Sequence, residues 1–225
     1  MEKKKALIVG ASGLVGGHCL QALLASSLYE SVVSLGRRRL PLDHPKLTQH
    51  LIDFDRAAQT PEFFACDDAF CCLGTTIKQA GSQENFRKVD HGYVTITAQL
   101  AQQQGATRFF VVSALGADAT SLIPYTRVKG NMEAQLQQFG FEELYIFRPS
   151  LLVGDRQEER KAEKTSERVL NVLEPLMTGS LRKYQAIRAH TVGEAMVRAA
   201  AGTRPGVHIF FTDQIKDLVN ATPAT

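Results

Sequence analysis

The opening of the chain constrains its fold most. A short apolar run, KALIVG, ends in glycine, passes into the glycine-rich ASGLVGG, and gives way to an amphipathic stretch over Leu14–Ala25. An apolar run too short for a helix, a flexible loop and then a 3.6-residue period read as strand, tight turn and helix. The pattern recurs. SVVSLG and LTQHLIDFD read as strands, DDAFCCLG as a buried strand, 84–104 as a long helix, TRFFVVSA as a strand, 123–139 as a helix and ELYIFRPS as a sixth strand. Strands that are apolar on both faces and alternate with helices pair in parallel, because crossover helices cover both sides of the sheet. The predicted class is therefore α/β, a doubly wound parallel sheet.

At 225 residues and 44% hydrophobic, the chain can bury one sizeable core, so 1–225 is read as a single domain. The charged start MEKKK precedes only a short apolar run, unlike a signal peptide, and no stretch of about 18 apolar residues occurs. A cytoplasmic protein without a membrane span is expected. Cys19, Cys66, Cys71 and Cys72 have no C-x-x-C spacing, which favours buried reduced thiols over a metal site or a disulfide framework. A net charge of +3 is too small to point to nucleic acid.

The glycine loop carries the first functional signal. Gly10, Gly13 and Gly16 lie between strand and helix with the spacing G-x-x-G-x-x-G. Glycine serves where the chain turns sharply, where backbone approaches a pyrophosphate and where helix lies close to strand. The helix start then offers free N–H groups to phosphate. The expected contacts are Gly10, Ser12, Gly13, Leu14, Val15 and Gly16. The second strand ends SLGRRR, without the acid that would bind a ribose 2′-hydroxyl. Arg37 and Arg38 suit a 2′-phosphate instead, so NADP(H) is the expected cofactor. Asp53, after the third strand, suits either the adenine amino group or a helix cap.

The second signal is YTRVKG, which sets Tyr125 and Lys129 one helical turn apart. Pro124 suits the first turn and Gly140 the position past the end. Val128, Met132, Leu136 and Phe139 form an apolar stripe, with Lys129 beside it. The pair thus begins a helix directly after a central strand, the edge where open parallel sheets bind ligands. Beyond Pro149 a charged run, DRQEERKAEKTSER, precedes VLNVLEPLM. The expected division is a dinucleotide-binding core over 1–149, a small C-terminal substrate or lid region over 150–219 and a frayed tail over 220–225. Thr191 and Glu194 have capping-box spacing for a helix over 191–201, and GVHIFF reads as a last strand. His91 and His190 read as structural or surface residues.

GASGLVG, Arg37 after the second strand, Ser113 after the fifth, Tyr125-x-x-x-Lys129 and Arg148-Pro149 after the sixth together resemble the short-chain dehydrogenase/reductase superfamily in its atypical, extended-like branch. FCCLGTT, Val89-Asp90 and FRPSLLVGDRQE are similar to the family of the Tat-interacting oxidoreductase tumour suppressor and its bacterial relatives. The resemblance implies an NADP(H)-binding Rossmann fold that reduces a carbonyl of a small or medium organic substrate. It makes Tyr125 the general acid, Ser113 the group holding the carbonyl oxygen, and Lys129 the partner of the nicotinamide ribose and the tyrosinate. Leu73, Gly74 and Thr75 would line the cofactor, and Pro149 and Leu152 would flank the nicotinamide. Asp90 stands where many superfamily members have an asparagine. The family also implies an alternative, a redox-sensing regulator that binds NADPH and a protein partner with little turnover. Sugar-nucleotide epimerisation, which uses the same Tyr/Lys pair, is the least favoured reading. The oligomeric state is not legible.

Overall fold

The computed structural model describes residues 3–154 and 178–221. The charged run after Gly154, all of VLNVLEPLM and the tail at 222–225 lie outside the described residues. Seven strands form one sheet: β1 (Lys4–Val9), β2 (Tyr29–Gly36), β3 (Leu47–Leu51), β4 (Asp68–Cys71), β5 (Arg108–Val112), β6 (Glu143–Arg148) and β9 (Gly206–Phe211). Their order is β3-β2-β1-β4-β5-β6-β9, and every neighbouring pair is parallel. A separate two-stranded ribbon pairs β7 (Leu152–Val153) with β8 (Ile187–Arg188).

The doubly wound expectation holds, and its cause is visible in β1. Ala6 and Ile8 face one layer while Leu7 and Val9 face the other, all of them fully buried. On the first side, Cys19, Leu20 and Leu23 of α1 (Leu14–Ala25) pack with Val192 and Met196 of α6 (Ala189–Ala199). On the second, Val94, Ala98 and Ala101 of α4 (Val94–Gln103) pack with Met132 and Leu136 of α5 (Pro124–Leu136). A strand covered on both faces needs apolar side chains at every position, which explains the unbroken runs in the sequence. Phe70, Phe110 and Tyr145 stack across three strands, with centroids 4.5 and 4.6 Å apart.

The amino ends of the strands carry a buried polar cluster. Asp68 accepts from Arg108 Nε at 2.7 Å and from Tyr29 Oη at 2.6 Å, while Arg108 Nη1 donates to Ala200 O at 3.0 Å. Tyr145 Oη donates to Glu143 Oε2 at 2.7 Å. Burial and the adjacent Asp68 push the Tyr29 phenol far above its ordinary range. These groups satisfy one another far from the carboxyl edge and act as structure.

Two local expectations are corrected. The helix expected over 84–104 is built of α3 (Gln83–Arg87), a π-helical turn (Lys88–Tyr93) and α4, preceded by the short α2 (Ile77–Ala80). The capping box at Thr191 and Glu194 does not form. The β7–β8 pairing brings the chain into α6 at Ala189, so Thr191 falls inside the first turn and lies 3.4 Å from His190 Nε2. Glu194 pairs instead with Arg198. Pro124 does open α5, and Gly140 follows with φ +72° after a turn that overruns the helix. GVHIFF is β9 and leads into α7 (Thr212–Asn220).

The start of α1 yields a paired prediction. A Cβ on Gly16 would lie 2.0 Å from Gly10 O, whereas one on Gly17 would meet Ala11 O at an ordinary 3.6 Å. Gly16→Ala should cost about 2 kcal/mol or more in urea unfolding. Gly17→Ala, at a helical position with room, should be neutral or gain up to about 1 kcal/mol.

Candidate active site

The chain leaves β1, adds β2 and β3 on one side, and crosses to place β4 on the other. That reversal opens a crevice between the carboxyl ends of β1 and β4, where ligands of open parallel sheets bind. A cleft of about 720 Å³ lies there. Its walls are the glycine loop, the end of β2, the segment after β4, and the face of α3 and the π-turn.

Close approach between the two central loops shapes the floor. Gly10 has φ +81°, and a Cβ there would lie 2.5 Å from Cys72 C, so no side chain fits. Gly13 N–H donates to Gly10 O at 2.9 Å, which closes the turn. Helix α1 then starts with Gly13 as its N-cap, without a side-chain cap bond and without an acid in its first turn. Its leading N–H groups and the positive end of its dipole remain available.

The expected cofactor contacts divide by position. Gly10, Ser12, Gly13, Leu14, Arg37, Arg38, Leu73, Gly74 and Thr75 all line the cleft. Val15 and Gly16 are buried behind it, and Pro149 and Leu152 lie further along the carboxyl edge outside this volume. Asp53 takes its other expected role. Its carboxylate caps a 3-10 turn (Phe54–Gln59) by accepting from Asp55 N–H at 3.0 Å, and it does not line the cleft. Asn85, Lys88 and Tyr93 line the cleft without having been picked out from the sequence. Asn85 and Lys88 stand three residues apart on a helix facing the glycine loop, a spacing that only the tertiary fold makes informative. Lys88 pairs with Asp55 at 2.6 Å, and that contact holds the exposed Asp55 carboxyl below its ordinary value. Arg37, Arg38 and Lys88 are cations, and no carboxylate is among the described lining residues.

Beside the cleft, Ser113 follows β5, and Tyr125 and Lys129 project from α5. Tyr125 is half-buried, with its ring stacked on Phe86 at a centroid distance of 5.4 Å. Lys129 is only 3% exposed, deeper than the edge position expected from the helical stripe. The π-turn causes the difference. It packs against α5 and delivers Asp90, also fully buried, to 2.7 Å from Lys129 Nζ. Burial works to lower the Lys129 pKa, but Asp90 and Tyr125 outweigh it, so the ammonium form is favoured beyond its ordinary range. The other Asp90 oxygen, Oδ2, accepts the Thr75 N–H at 2.8 Å. The pair is thereby fastened to the cleft wall.

The Ser113 hydroxyl donates to Glu133, whose oxygens also accept from Arg148 Nε at 3.0 and 3.1 Å. To donate to a substrate oxygen, Ser113 must turn its proton away from Glu133. Glu133 was not singled out from the sequence, although Tyr125, Lys129 and Glu133 fall at i, i+4 and i+8 on one face. His91 is half-buried, and burial with Arg87 lowers its pKa. His190 lies on α6 against His18, with ring centroids 6.0 Å apart. All four cysteines are free; Cys72 lines the cleft, and burial pushes the Cys71 thiol up to about 12. Among the described residues no His/Cys/Asp/Glu group is placed to hold a metal, and no helix is long and apolar enough to cross a membrane.

No family model matches the chain. Individual proteins do. Protein HTATIP2 of Rattus norvegicus is 38% identical over 167 residues, covering 72% of this chain and 69% of that protein. The mitochondrial protein FMP52 of Debaryomyces hansenii is 30% identical over 228 residues, covering 96% and 98%. The chain belongs to the HTATIP2/FMP52 family. This membership bears out the family resemblance carried by FCCLGTT, Val89-Asp90 and FRPSLLVGDRQE. Solved structures share the fold at low identity. WbmH of Bordetella bronchiseptica in complex with NAD+ has a TM-score of 0.70 at 19% identity, covering 97% of this chain and 80% of WbmH. MoeE5 in complex with UDP-glucuronic acid and NAD has a TM-score of 0.69 at 18% identity, covering 92% and 75%. The cytoplasmic expectation is corrected by the relatives, since the FMP52 proteins of several fungi are mitochondrial. It rested on the lack of an apolar segment, a property that does not distinguish one aqueous compartment from another.

The Glu133 cluster makes a stability prediction for this HTATIP2/FMP52 member. Glu133→Ala leaves the Arg148 guanidinium without its buried carboxylate. Urea unfolding should report a loss of about 3 kcal/mol, and an unchanged midpoint would contradict the role assigned to the cluster.

Proposed function

We propose that this protein is an NADPH-dependent oxidoreductase that reduces a carbonyl of a small or medium organic substrate. The observation that carries the reading is the junction of two features. A cleft with a bare helix start and three cations adjoins a Tyr125/Lys129 pair that is tied to its wall through Asp90 and Thr75. A dinucleotide fits that shape, with the pyrophosphate over the bare backbone of the glycine loop and α1 donating to it. Solved neighbours of the same fold hold NAD, which supports a nicotinamide dinucleotide. Arg37 and Arg38 at the end of β2, where no acid stands, favour the 2′-phosphorylated form.

When bound, the reduced nicotinamide supplies the hydride. The remaining work belongs to side chains of this chain. Tyr125 protonates the carbonyl oxygen, and Lys129 holds the ribose and keeps a positive charge beside Tyr125. Ser113 orients the oxygen once its hydroxyl swings from Glu133. In this reading residues 1–149 seat the cofactor, and parts of 150–219 close over the substrate. A second reading, an NADPH-responsive regulator that signals to a protein partner, draws on one specific observation. Lys129 is already charge-paired with Asp90 and the Ser113 proton is already taken by Glu133, an arrangement that suits binding more than turnover.

NADPH at a hundredfold excess over its Kd should raise stability by about 2.7 kcal/mol, read as a melting shift. NADH should do much less, and Arg37→Ala should erase the difference. A melt unmoved by either nucleotide would reject both readings. Tyr125→Phe should lower kcat on a reducible carbonyl by about a hundredfold or more while leaving the NADPH Kd unchanged. Equal rates would reject the reductase and leave the regulator.

A further inference from the structure

We propose that Asp90 is a built-in counter-charge that sets how this pocket discriminates between the oxidised and reduced forms of its nicotinamide cofactor. The inference rests on the dinucleotide reading above. It goes beyond that reading in naming the residue that tunes the cofactor's redox state.

The geometry is specific. Asp90 has no solvent exposure, Lys129 has almost none, and the two are 2.7 Å apart. The Lys129 ammonium is the ion-pair partner of Asp90 Oδ1, which makes no well-directed hydrogen bond of its own. Oδ2 is fixed by the Thr75 amide. A carboxylate needs a reason to occupy such a place, because burying a charge is costly unless it is paired. The π-turn that carries it adds a residue to the helical repeat and turns Asp90 inward against α5, while its neighbours Lys88, Val89 and Tyr93 face the cleft. A Cβ on Gly74 would lie 3.5 Å from Asp90 Oδ1 and 3.8 Å from Lys129 Nζ. Gly74 lines the cleft, so only one backbone residue separates the ion pair from the cofactor's seat.

Oxidised nicotinamide carries a positive charge on its ring and the reduced form does not. A lone buried ammonium in the wall behind Gly74 would penalise the oxidised form. The Asp90 carboxylate cancels that penalty, so the pocket tolerates both forms. Interactions that both forms make equally, such as those with pyrophosphate, 2′-phosphate and ribose, drop out of the ratio of their affinities.

The test is the ratio Kd(NADP+)/Kd(NADPH), measured by calorimetry at fixed pH and salt on the full chain. Asp90→Asn keeps the size and the Thr75 bond but removes the charge, and should raise the ratio about tenfold, as one nearby charge in a partly screened site would. Lys129→Met should move the ratio in the opposite direction. The double variant Asp90→Asn/Lys129→Met restores neutrality and should return to within about threefold of wild type; removal of both partners of a buried pair is commonly tolerated even where removal of one unfolds the chain. A ratio unchanged by Asp90→Asn would overturn the proposal and leave Asp90 as a brace for Lys129. Where the single variants do not fold, a double variant whose ratio departs more than tenfold from wild type would overturn it as well. Failure of wild type to bind either nucleotide would instead reject the dinucleotide reading itself.

Discussion

The carboxyl edge of the sheet depends on the ion pair between Asp90 and Lys129. Each partner comes from a different element, the π-turn and α5, and the Thr75 amide fastens the pair to the segment after β4. Two charges removed from water are stable only when geometry and extra hydrogen bonds offset their desolvation. Here three elements must be in register for that to occur. The contact therefore fixes the position of α5, and with it Tyr125, relative to the cleft.

Charge is partitioned between the two ends of the sheet. At the amino ends, Asp68, Arg108, Tyr29, Glu143 and Tyr145 satisfy one another and leave nothing directed at a ligand. At the carboxyl ends, cations line the cleft and the start of α1 is left bare. The Ser113–Glu133–Arg148 cluster lies between these extremes. It is satisfied as it stands, yet it includes a hydroxyl that the proposed chemistry would need to redirect.

The fold was legible because its signals are local. Continuous apolar runs, the glycine loop and Pro124 each report on a few neighbouring residues, and the strands and helices followed from them. The site was legible in part. Glycines, Arg37 and Arg38 reach the cleft because their places beside the ends of β1 and β2 are dictated by the strand order. The depth of Lys129 and its partner Asp90 were not legible, since a π-turn adds a residue to a helical repeat that periodicity treats as regular. The Thr191 capping box failed for a related reason: the distant β7–β8 pairing determines where α6 begins. Glu133 was not picked out, because its tie to Ser113 and Arg148 depends on tertiary structure.

In the proposed function the crevice between β1 and β4 seats a dinucleotide and joins it to the Tyr125/Lys129 pair. Amide hydrogen exchange with and without NADPH tests this residue by residue. The account predicts slowed exchange at the glycine loop, at Arg37 and Arg38, at Gly74 and Thr75, and along the π-turn, with no change at the His18/His190 face of α1 and α6. Protection confined to another surface, or absent altogether at saturating NADPH, would contradict it.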